Sequence, residues 1–267
     1  MTHSLLKKEA KACLENLPGK ILLYLLPLLL TLFQFGLQVH QRYLLEMGAA
    51  IATAPSLFPL LLRIISAFLF LSASFALLAA LRGQKDKLTV NDGTLSLTRP
   101  YFWKSTFLLL FRYLLNTLWS LTFFIGVVIL TVGTILAFGA LNKGNPLTGP
   151  LLLSGLGLIV TIIGAIIALN RKIAYSMAGP IMYDQIRLNT YIGSVECLND
   201  SVALMKGHKW QYFKLVCSFI GWFILVIFSL GILAFYVIPY YKTTILCFYE
   251  KLRKAHEAEL ADTSLTE

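Results

Sequence analysis

Residues 113–141 read YLLNTLWSLTFFIGVVILTVGTILAFGAL and contain no charged side chain. A helix needs about 20 predominantly apolar residues to cross the hydrocarbon core of a bilayer, because lipid offers no hydrogen-bond partner to free backbone groups. This stretch exceeds that minimum length. It predicts a transmembrane helix and, with it, an all-α membrane fold.

The composition of the whole chain supports the same class. Of the 267 residues 57% are hydrophobic and 13% are charged, and the mean hydropathy is +0.74. A soluble globular domain carries about 25% charged residues. The net charge is +10, from 23 Lys and Arg against 13 Asp and Glu. Because these charges flank apolar runs, the expected partners are membrane lipids with anionic headgroups rather than nucleic acid.

Four other uncharged tracts reach or approach a spanning length. They are residues 21–39, 64–81, 146–170 and 215–241. The last tract lies in a run of 39 residues, 212–250, that only Lys214 and Lys242 interrupt. That run is long for one helix and just long enough for two short helices that turn at residues 229–231. The sequence therefore predicts a polytopic bundle of six transmembrane helices. The alternative has five, with the residues after Pro239 lying along the outer surface.

The distribution of basic residues favours six spans. With six, Arg42 and Lys143 face the outer side, Arg63, Arg112 and Lys242 lie within or beside spans, and the other Lys and Arg collect on one side. Cytoplasmic loops carry an excess of Lys and Arg, whereas five spans would move the C-terminal basic residues outside. We therefore expect a multi-pass protein of the cell membrane with both termini in the cytoplasm.

Three regions follow from this pattern. Residues 1–19 are expected to form a cytoplasmic amphipathic helix, residues 20–252 a single membrane-embedded domain, and residues 253–267 an acidic, disordered cytoplasmic tail. A polar loop or small hairpin is expected at residues 83–98, and a second interfacial helix is expected to begin at Pro100. The residues expected to share the apolar face of the first helix are Leu5, Leu6, Cys13, Leu14 and Leu17.

A cluster of basic and aromatic residues precedes the last apolar tract. Such a cluster can hold an anionic headgroup or a phosphate, because each Lys near an anionic surface contributes about 1 kcal/mol. The alternative is an anchor that sets the depth of the following span. The residues of this predicted basic cluster are Lys206, His208, Lys209, Trp210 and Tyr212.

Three charges fall inside or beside the predicted spans: Arg63, Arg112 and Lys242. A charge at a helix centre costs about 2.5–3.5 kcal/mol on insertion scales, so such residues snorkel to the interface, pair or line a cavity. A separate polar pair, Asp184 and Arg187, has the i,i+3 spacing that allows pairing on one helix face.

The second half of the chain resembles a known family. Residues 204–210 read LMKGHKW, and residues 219–222 and 231–232 supply the later Phe-Ile-Gly-Trp and Gly-Ile. Pro239-Tyr240 and a terminal Phe-Tyr follow, and the pattern resembles the bacterial integral membrane proteins catalogued as "domain of unknown function 975". The resemblance implies a multi-span membrane protein of Gram-positive-type bacteria and brings no activity with it.

The sequence contains no Walker loop, HExxH, GxSxG or dinucleotide fingerprint, and its four cysteines are scattered without metal-site spacing. No catalytic residue, cofactor or metal ligand is therefore assigned. We expect a non-enzymatic binder, transporter or accessory subunit for a lipid, peptide or other amphiphile, with an envelope protein as a further possible partner. The alternative is a membrane enzyme acting on a lipid headgroup, which requires Asp184, Glu196 or Asp200 to reach the predicted basic cluster.

Overall fold

The computed structural model describes residues 3–15, 17–48 and 57–265, and over these ranges the chain is helical and has no strand. A 3₁₀ segment, Val90–Leu97, lies between the third and fourth helices. The helices in chain order are α1 (His3–Glu15), α2 (Lys20–Glu46), α3 (Leu57–Leu81), α4 (Arg99–Lys143), α5 (Thr148–Ala174), α6 (Ala178–Arg187), α7 (Ser194–Leu204), α8 (Lys209–Cys217), α9 (Ile220–Phe228) and α10 (Ala234–Leu265).

Within the described part of the chain, five helical stretches are long and apolar enough to cross a membrane. The all-α membrane fold predicted from the sequence is thereby confirmed. The turn expected at residues 229–231 is present and separates α9 from α10, whereas α10 itself is not among the five stretches. The sixth crossing therefore stays a prediction. The five are Lys20–Glu46, Leu57–Leu81, Arg99–Lys143, Thr148–Arg187 and Lys209–Phe228.

Helices α4 and α5 form a long antiparallel hairpin in which glycines bring the two backbones together. Gly126 faces Thr161, and Gly157 faces Leu130. A Cβ atom on Gly157 would lie 2.3 Å from the backbone nitrogen of Leu130, closer than atoms can pack. Small residues permit this close approach. Helices in a membrane associate through such close packing, because lipid is as apolar as the side chains and the hydrophobic effect does not drive their association.

The densely packed core lies at one end of the bundle, where α1, α3, α6, α7 and α10 meet. Phe75 and Phe248 are fully buried there, and the ring centroids of Phe75 and Tyr183 are 5.0 Å apart. Away from this core, the apolar side chains are largely exposed, such as Ile135 (70%) and Phe138 (67%). Lipid as the surrounding solvent explains this exposure.

Helix α1 is amphipathic as predicted, but its apolar face packs against α10. Leu6, Ala10 and Leu14 are buried, whereas Leu5 is half exposed and does not share that face. Lys7 donates a hydrogen bond to the carbonyl of Ser218 at 3.0 Å. The amphipathic pattern therefore located the buried face of α1, and the surface that covers this face belongs to the protein itself.

Two connecting regions and the C-terminus differ from the expectations. The expected loop or hairpin contains the 3₁₀ segment, in which the Ser96 backbone N–H donates to the Ser72 hydroxyl of α3 at 2.8 Å. Pro100 does not begin a separate interfacial helix. It lies in the first turn of α4, which continues without a break from Arg99 to Lys143. The region expected as a disordered tail forms the last turns of α10 as far as Leu265.

Candidate functional site: a cavity lined by two cations

A cavity with two adjoining lobes lies between α3, α4, α8 and α10 and the turn that joins α5 to α6. The lobes have volumes of about 410 Å³ and about 460 Å³. Five residues line both lobes and form the neck between them. They are Arg112, Ser176, Tyr241, Lys242 and Ile245.

Two of the three intramembrane charges predicted from the sequence meet at this neck. Arg112 comes from α4 and Lys242 from α10, and both line both lobes, so two like charges share one small space. The residues lining the two lobes include no Asp or Glu. Among the described residues, no carboxylate forms an ion pair with either cation. The neck is therefore a concentration of positive charge with no counter-ion among the side chains that the structure describes.

The two lobes differ in polarity. Ala67, Phe70 and Leu71 of α3, with Phe223 of α9, give the first lobe an apolar wall. We call it the apolar lobe.

The second lobe, which we call the polar lobe, is lined by Asn116, Lys172, Tyr175 and Tyr212. The side-chain oxygen of Asn116 is buried and has no hydrogen-bond partner among the described residues. A buried polar atom normally has a partner. The Tyr212 hydroxyl interacts with Ser176 and Tyr241 at the neck. The polar lobe thus combines a third cation with several hydroxyls and a free amide oxygen.

A serine of α7 holds the turn that carries Ser176. Helix α5 ends at Ala174, whose carbonyl accepts a hydrogen bond of 2.6 Å from the Ser201 hydroxyl. The same Ser201 oxygen accepts a hydrogen bond of 3.1 Å from the backbone N–H of Met177. Because Ser201 is fully buried, it satisfies the broken helix end without water. Ser176 is therefore placed at the neck by a fixed turn.

A cluster of ion pairs lies further towards the C-terminus of α10, where α3, α6 and α10 meet. Arg82 donates to both oxygens of Asp184, at 2.5 and 2.8 Å, and from its Nε to Glu250 at 2.9 Å. The Tyr249 hydroxyl donates to Asp184 at 2.7 Å, and Arg253 lies 3.4 Å from it. We call these five residues the ion-pair cluster. Its acids and bases balance, in contrast to the neck.

Burial shapes the ionisation of this cluster. Burial alone lowers the pKa of Arg82, but the hydrogen bonds and charges of Asp184 and Glu250 outweigh it and raise the pKa above its ordinary value. The Arg82 side chain is 14% exposed and that of Asp184 is 9% exposed. The ion-pair cluster therefore joins the end of α3 to α6 and α10 through nearly buried charges.

The predicted basic cluster is divided by the fold. Lys206 is exposed, and Lys209 donates to the side-chain oxygen of Asn170 at 2.8 Å. Trp210 is exposed and stacks on Phe213, with ring centroids 5.3 Å apart. Tyr212 alone of this set is buried and lines the polar lobe. The Nδ1 atom of His208 is buried and unpaired among the described residues.

The predicted polar pair and the first intramembrane arginine also lie apart from the cavity. Asp184 belongs to the ion-pair cluster, and Arg187 donates to Gln84 instead of Asp184. Arg63 is exposed on α3. The i,i+3 spacing was compatible with a pair on α6, but both side chains bond residues that follow the end of α3, Arg82 and Gln84.

The headgroup-enzyme alternative required an acid beside the predicted basic cluster. In the described part of the chain Asp200 accepts a hydrogen bond of 2.6 Å from Gln185, and Asp184 pairs with Arg82. Over the described ranges, no hydrogen bond or ion pair joins either acid, or Glu196, to Lys206, His208 or Lys209. The enzyme alternative stays a prediction without a contact to support it.

Sequence reasoning missed Asn116, Ser176, Ser201 and Tyr241. Asn116 carried a usable signal, because it is an amide within an otherwise apolar tract. The hydroxyl residues carried none, since Ser, Thr and Tyr are common in the spans and a Ser in a helix often bonds its own backbone. The proximity of these side chains comes from the packing of distant segments.

The helices and the cavity together define a class: a polytopic helical membrane protein with a cation-lined cavity between its helices. The chain belongs to the family described as "Protein of unknown function (DUF975)", which matches residues 1–256. This confirms the family resemblance drawn from the second half of the sequence and extends it to nearly the whole chain. No curated protein matches the chain, and no solved structure does.

Proposed function

We propose that this protein binds an anionic amphiphile, without chemical conversion, and that the anionic group lies between Arg112 and Lys242. A membrane lipid is the ligand that the surroundings supply most directly. One observation carries the proposal: two cations line the neck of a cavity whose lining includes no carboxylate.

The energetics favour an external counter-ion. Taking a cation out of water is costly unless it is paired, and charges within membrane proteins pair or line a path for a ligand. Hydrogen bonds between ionised partners are about twice as strong as neutral ones, and guanidinium suits the two oxygens of a phosphate or carboxylate. An anion at the neck would relieve the repulsion between Arg112 and Lys242.

The two lobes suit the two ends of an amphiphile. The apolar lobe offers Phe70, Leu71 and Phe223 to an acyl chain. The polar lobe offers Lys172, the free oxygen of Asn116 and the hydroxyl of Tyr212 to a headgroup. Each lobe falls within the volume range of about 300–1,000 Å³ found for small-molecule sites. A lipid carrier, a transporter and an accessory subunit of the envelope share this binding step.

We propose the orientation that the basic residues favour, with both termini in the cytoplasm. In support, Lys251, near the middle of α10, forms an ion pair of 2.8 Å with Glu9 of α1, so the first and last helices meet at one end of the bundle. Arg82, Lys85 and Lys20 belong to the same end, whereas Lys143 closes α4 at the other. Excess Lys and Arg mark the cytoplasmic face.

The test compares lipid binding by two double variants with equal loss of charge. Arg112→Gln with Lys242→Gln removes the cations of the neck. Lys206→Gln with Lys209→Gln removes two cations of the predicted basic cluster. Affinity for phosphatidylglycerol over phosphatidylcholine is measured by native mass spectrometry of detergent-purified protein. We expect the neck variant to bind phosphatidylglycerol at least roughly thirtyfold more weakly, a loss of about 2 kcal/mol.

The surface variant should bind as the wild type does. If it loses the lipid while the neck variant retains it, the predicted basic cluster is the binding site and the proposal is wrong. Equal binding by wild type and both variants contradicts it as well. A thermal melt of each variant in the same detergent separates lost binding from lost folding.

A further inference from the structure

The apolar hairpin formed by α9, the turn at residues 229–233 and the start of α10 ends beside the middle of α2. A Cβ atom on Gly231 would lie 2.8 Å from Leu32 Cδ2, so the tip of the hairpin touches Leu32. Leu32 is twelve residues beyond Lys20, or about 18 Å along the helix. Helix α2 continues for about 21 Å more, to Glu46.

The base of the hairpin is level with the start of α2. Tyr236, Pro239 and Tyr240 line a small cavity of about 90 Å³ together with Lys20 and Ile21. From Tyr240 back to Ala234 is six residues, or about 9 Å of helix, and the three turn residues before Ala234 bring Gly231 to about 14 Å from Tyr240. Both estimates place the tip 14–18 Å beyond the start of α2, about half of the roughly 30 Å hydrocarbon core.

The tip itself is apolar where a loop in water would be polar. Phe228 is 80% exposed, Leu230 88% and Ile232 76%. Leu230 also has a positive φ of 51°, at a helix end where glycine is usual. A bulky apolar residue in that strained position, projecting away from the protein, is suited to contact with acyl chains.

The turn satisfies its own backbone without water. The Gly231 N–H donates to the carbonyl of Val226 at 2.9 Å, and the Leu230 N–H to that of Ile227 at 3.1 Å. The Ser229 hydroxyl accepts from the Leu233 N–H at 3.0 Å and donates to Val226. Irregular backbone within hydrocarbon must be hydrogen-bonded internally in this way.

We infer that residues 219–240 form a re-entrant hairpin that enters the bilayer from the side of the termini, turns among the acyl chains near the midplane and returns. The chain then crosses the membrane four times, by α2, α3, α4 and α5. Helix α8 begins level with the end of the apolar tract of α5, since Lys209 at its start contacts Asn170 there. This replaces both counts expected from the sequence and does not depend on the proposed ligand.

Depth labelling tests the inference. Leu230→Cys and the control Lys143→Cys are each placed in a background whose four native cysteines are replaced by Ser. In sealed proteoliposomes we expect a membrane-impermeant maleimide to label Lys143→Cys from one face and to leave Leu230→Cys unlabelled from either face. A spin label at Leu230→Cys should contact lipids that carry a quencher at mid-chain.

Labelling of Leu230→Cys from the face that also labels Lys143→Cys would establish a complete crossing and overturn the inference. Protection without contact with quencher-bearing lipid would indicate a protein partner at the tip and overturn it too. Hydroxyl-radical footprinting of the unmodified protein in nanodiscs covers the case in which the cysteine-free background does not fold. Phe228, Leu230 and Ile232 should then escape oxidation, and their oxidation would contradict the inference.

Discussion

At the scale of single residues, charges are used in two opposite ways. Arg82 has Asp184 and Glu250 as partners at hydrogen-bond distance, whereas Arg112 and Lys242 face a cavity without an acid. The first arrangement binds helices together, and the second leaves charge available to a ligand.

The ion-pair cluster predicts the effect of Asp184→Asn. This change removes the negative charge that Arg82, Tyr249 and Arg253 all contact, and it leaves a nearly buried guanidinium underpaired. Breaking a buried pair costs about 3–5 kcal/mol. We expect destabilisation at the lower end of that range, because the cluster lies at one end of the bundle, measured as a lower thermal midpoint in detergent.

Glu196→Gln is the matched control, since Glu196 is an exposed carboxylate on α7. Its stability should stay within about 0.5 kcal/mol of the wild type. An Asp184→Asn protein as stable as this control would show that the cluster does not hold the three helices together.

The unusual residues could be recognised from the sequence, but their neighbours could not. Arg112 and Lys242 are conspicuous because charges are rare in apolar tracts. That they line one neck depends on how the fold places α4 and α10 around a common cavity, although the two helices are far apart in the chain. Asp184 and Arg187 illustrate the converse, because their local spacing allowed a pair that tertiary contacts replaced.

At the scale of elements, the close packing of α4 against α5 depends on glycines, which have no Cβ atom. Gly157→Leu should separate the two helices, because even its Cβ atom would lie 2.3 Å from the Leu130 nitrogen. Overpacking costs about 1–3 kcal/mol, and a clash with backbone belongs at the upper end. A thermal melt in detergent measures the loss.

Gly155 provides the control on the same helix, two residues away. A Cβ atom there meets nothing within 4 Å. Gly155→Leu should therefore melt no lower than the wild type, because Leu also has the higher helix propensity. Equal destabilisation by both substitutions would show that the close approach at Gly157 is not the cause.

The 3₁₀ segment should respond to acid through Asp92. Burial alone would raise the pKa of this carboxyl, but hydrogen bonds from Lys85 and from the backbone and hydroxyl of Thr89 hold the pKa below its ordinary value of 3.8. A depressed folded-state pKa contributes stability that is complete above the unfolded value and is lost as the pH falls through the folded one.

Comparison of the wild type with Asp92→Asn isolates this contribution. Thermal midpoints between about pH 7 and pH 3 should differ at neutral pH and converge in acid, because the wild-type carboxyl becomes protonated. A constant difference across this range would contradict the assignment.

Periodicity and length located the helices well, because both follow from the geometry of a helix in lipid. The turn at Ser229–Gly231 was visible as a break in a tract too long for one helix. The unbroken start of α4 at Arg99 was not visible in the sequence, because the polar and aromatic residues at its beginning resemble an interfacial segment. Local composition cannot distinguish a helix that lies on the membrane from one that leaves it.

At the scale of the whole molecule, one end is packed by protein and the other by lipid. Phe75, Phe248 and Tyr249 are buried at the charged end, whereas Ile135 and Phe138 are exposed along the hairpin. Hydropathy predicts the second part directly. The first required tertiary structure, because α1, α6, α7 and α10 as far as Leu252 gather around a common core.

The level of the bilayer also bears on the cavity. Lys242 is two residues from Tyr240, which lies level with the start of α2. With the re-entrant hairpin, the neck would lie at headgroup depth, where a lipid presents its phosphate. A complete sixth crossing would instead place Lys242 deeper, so the depth measurement at Leu230 and the lipid measurement at the neck inform each other.

Helix α4 is a single rod of 45 residues, about 67 Å long, which is more than twice the thickness of the hydrocarbon core. It has no proline after its first turn and no break, and Arg112 lies about a third of the way along it. We expect an unbroken helix of this length to tilt as one rigid unit. A small tilt of α4 when a ligand binds near Arg112 would move the distant turn at Gly144 by a larger distance. Ligand binding at the neck would therefore change the position of a turn on the opposite face of the membrane.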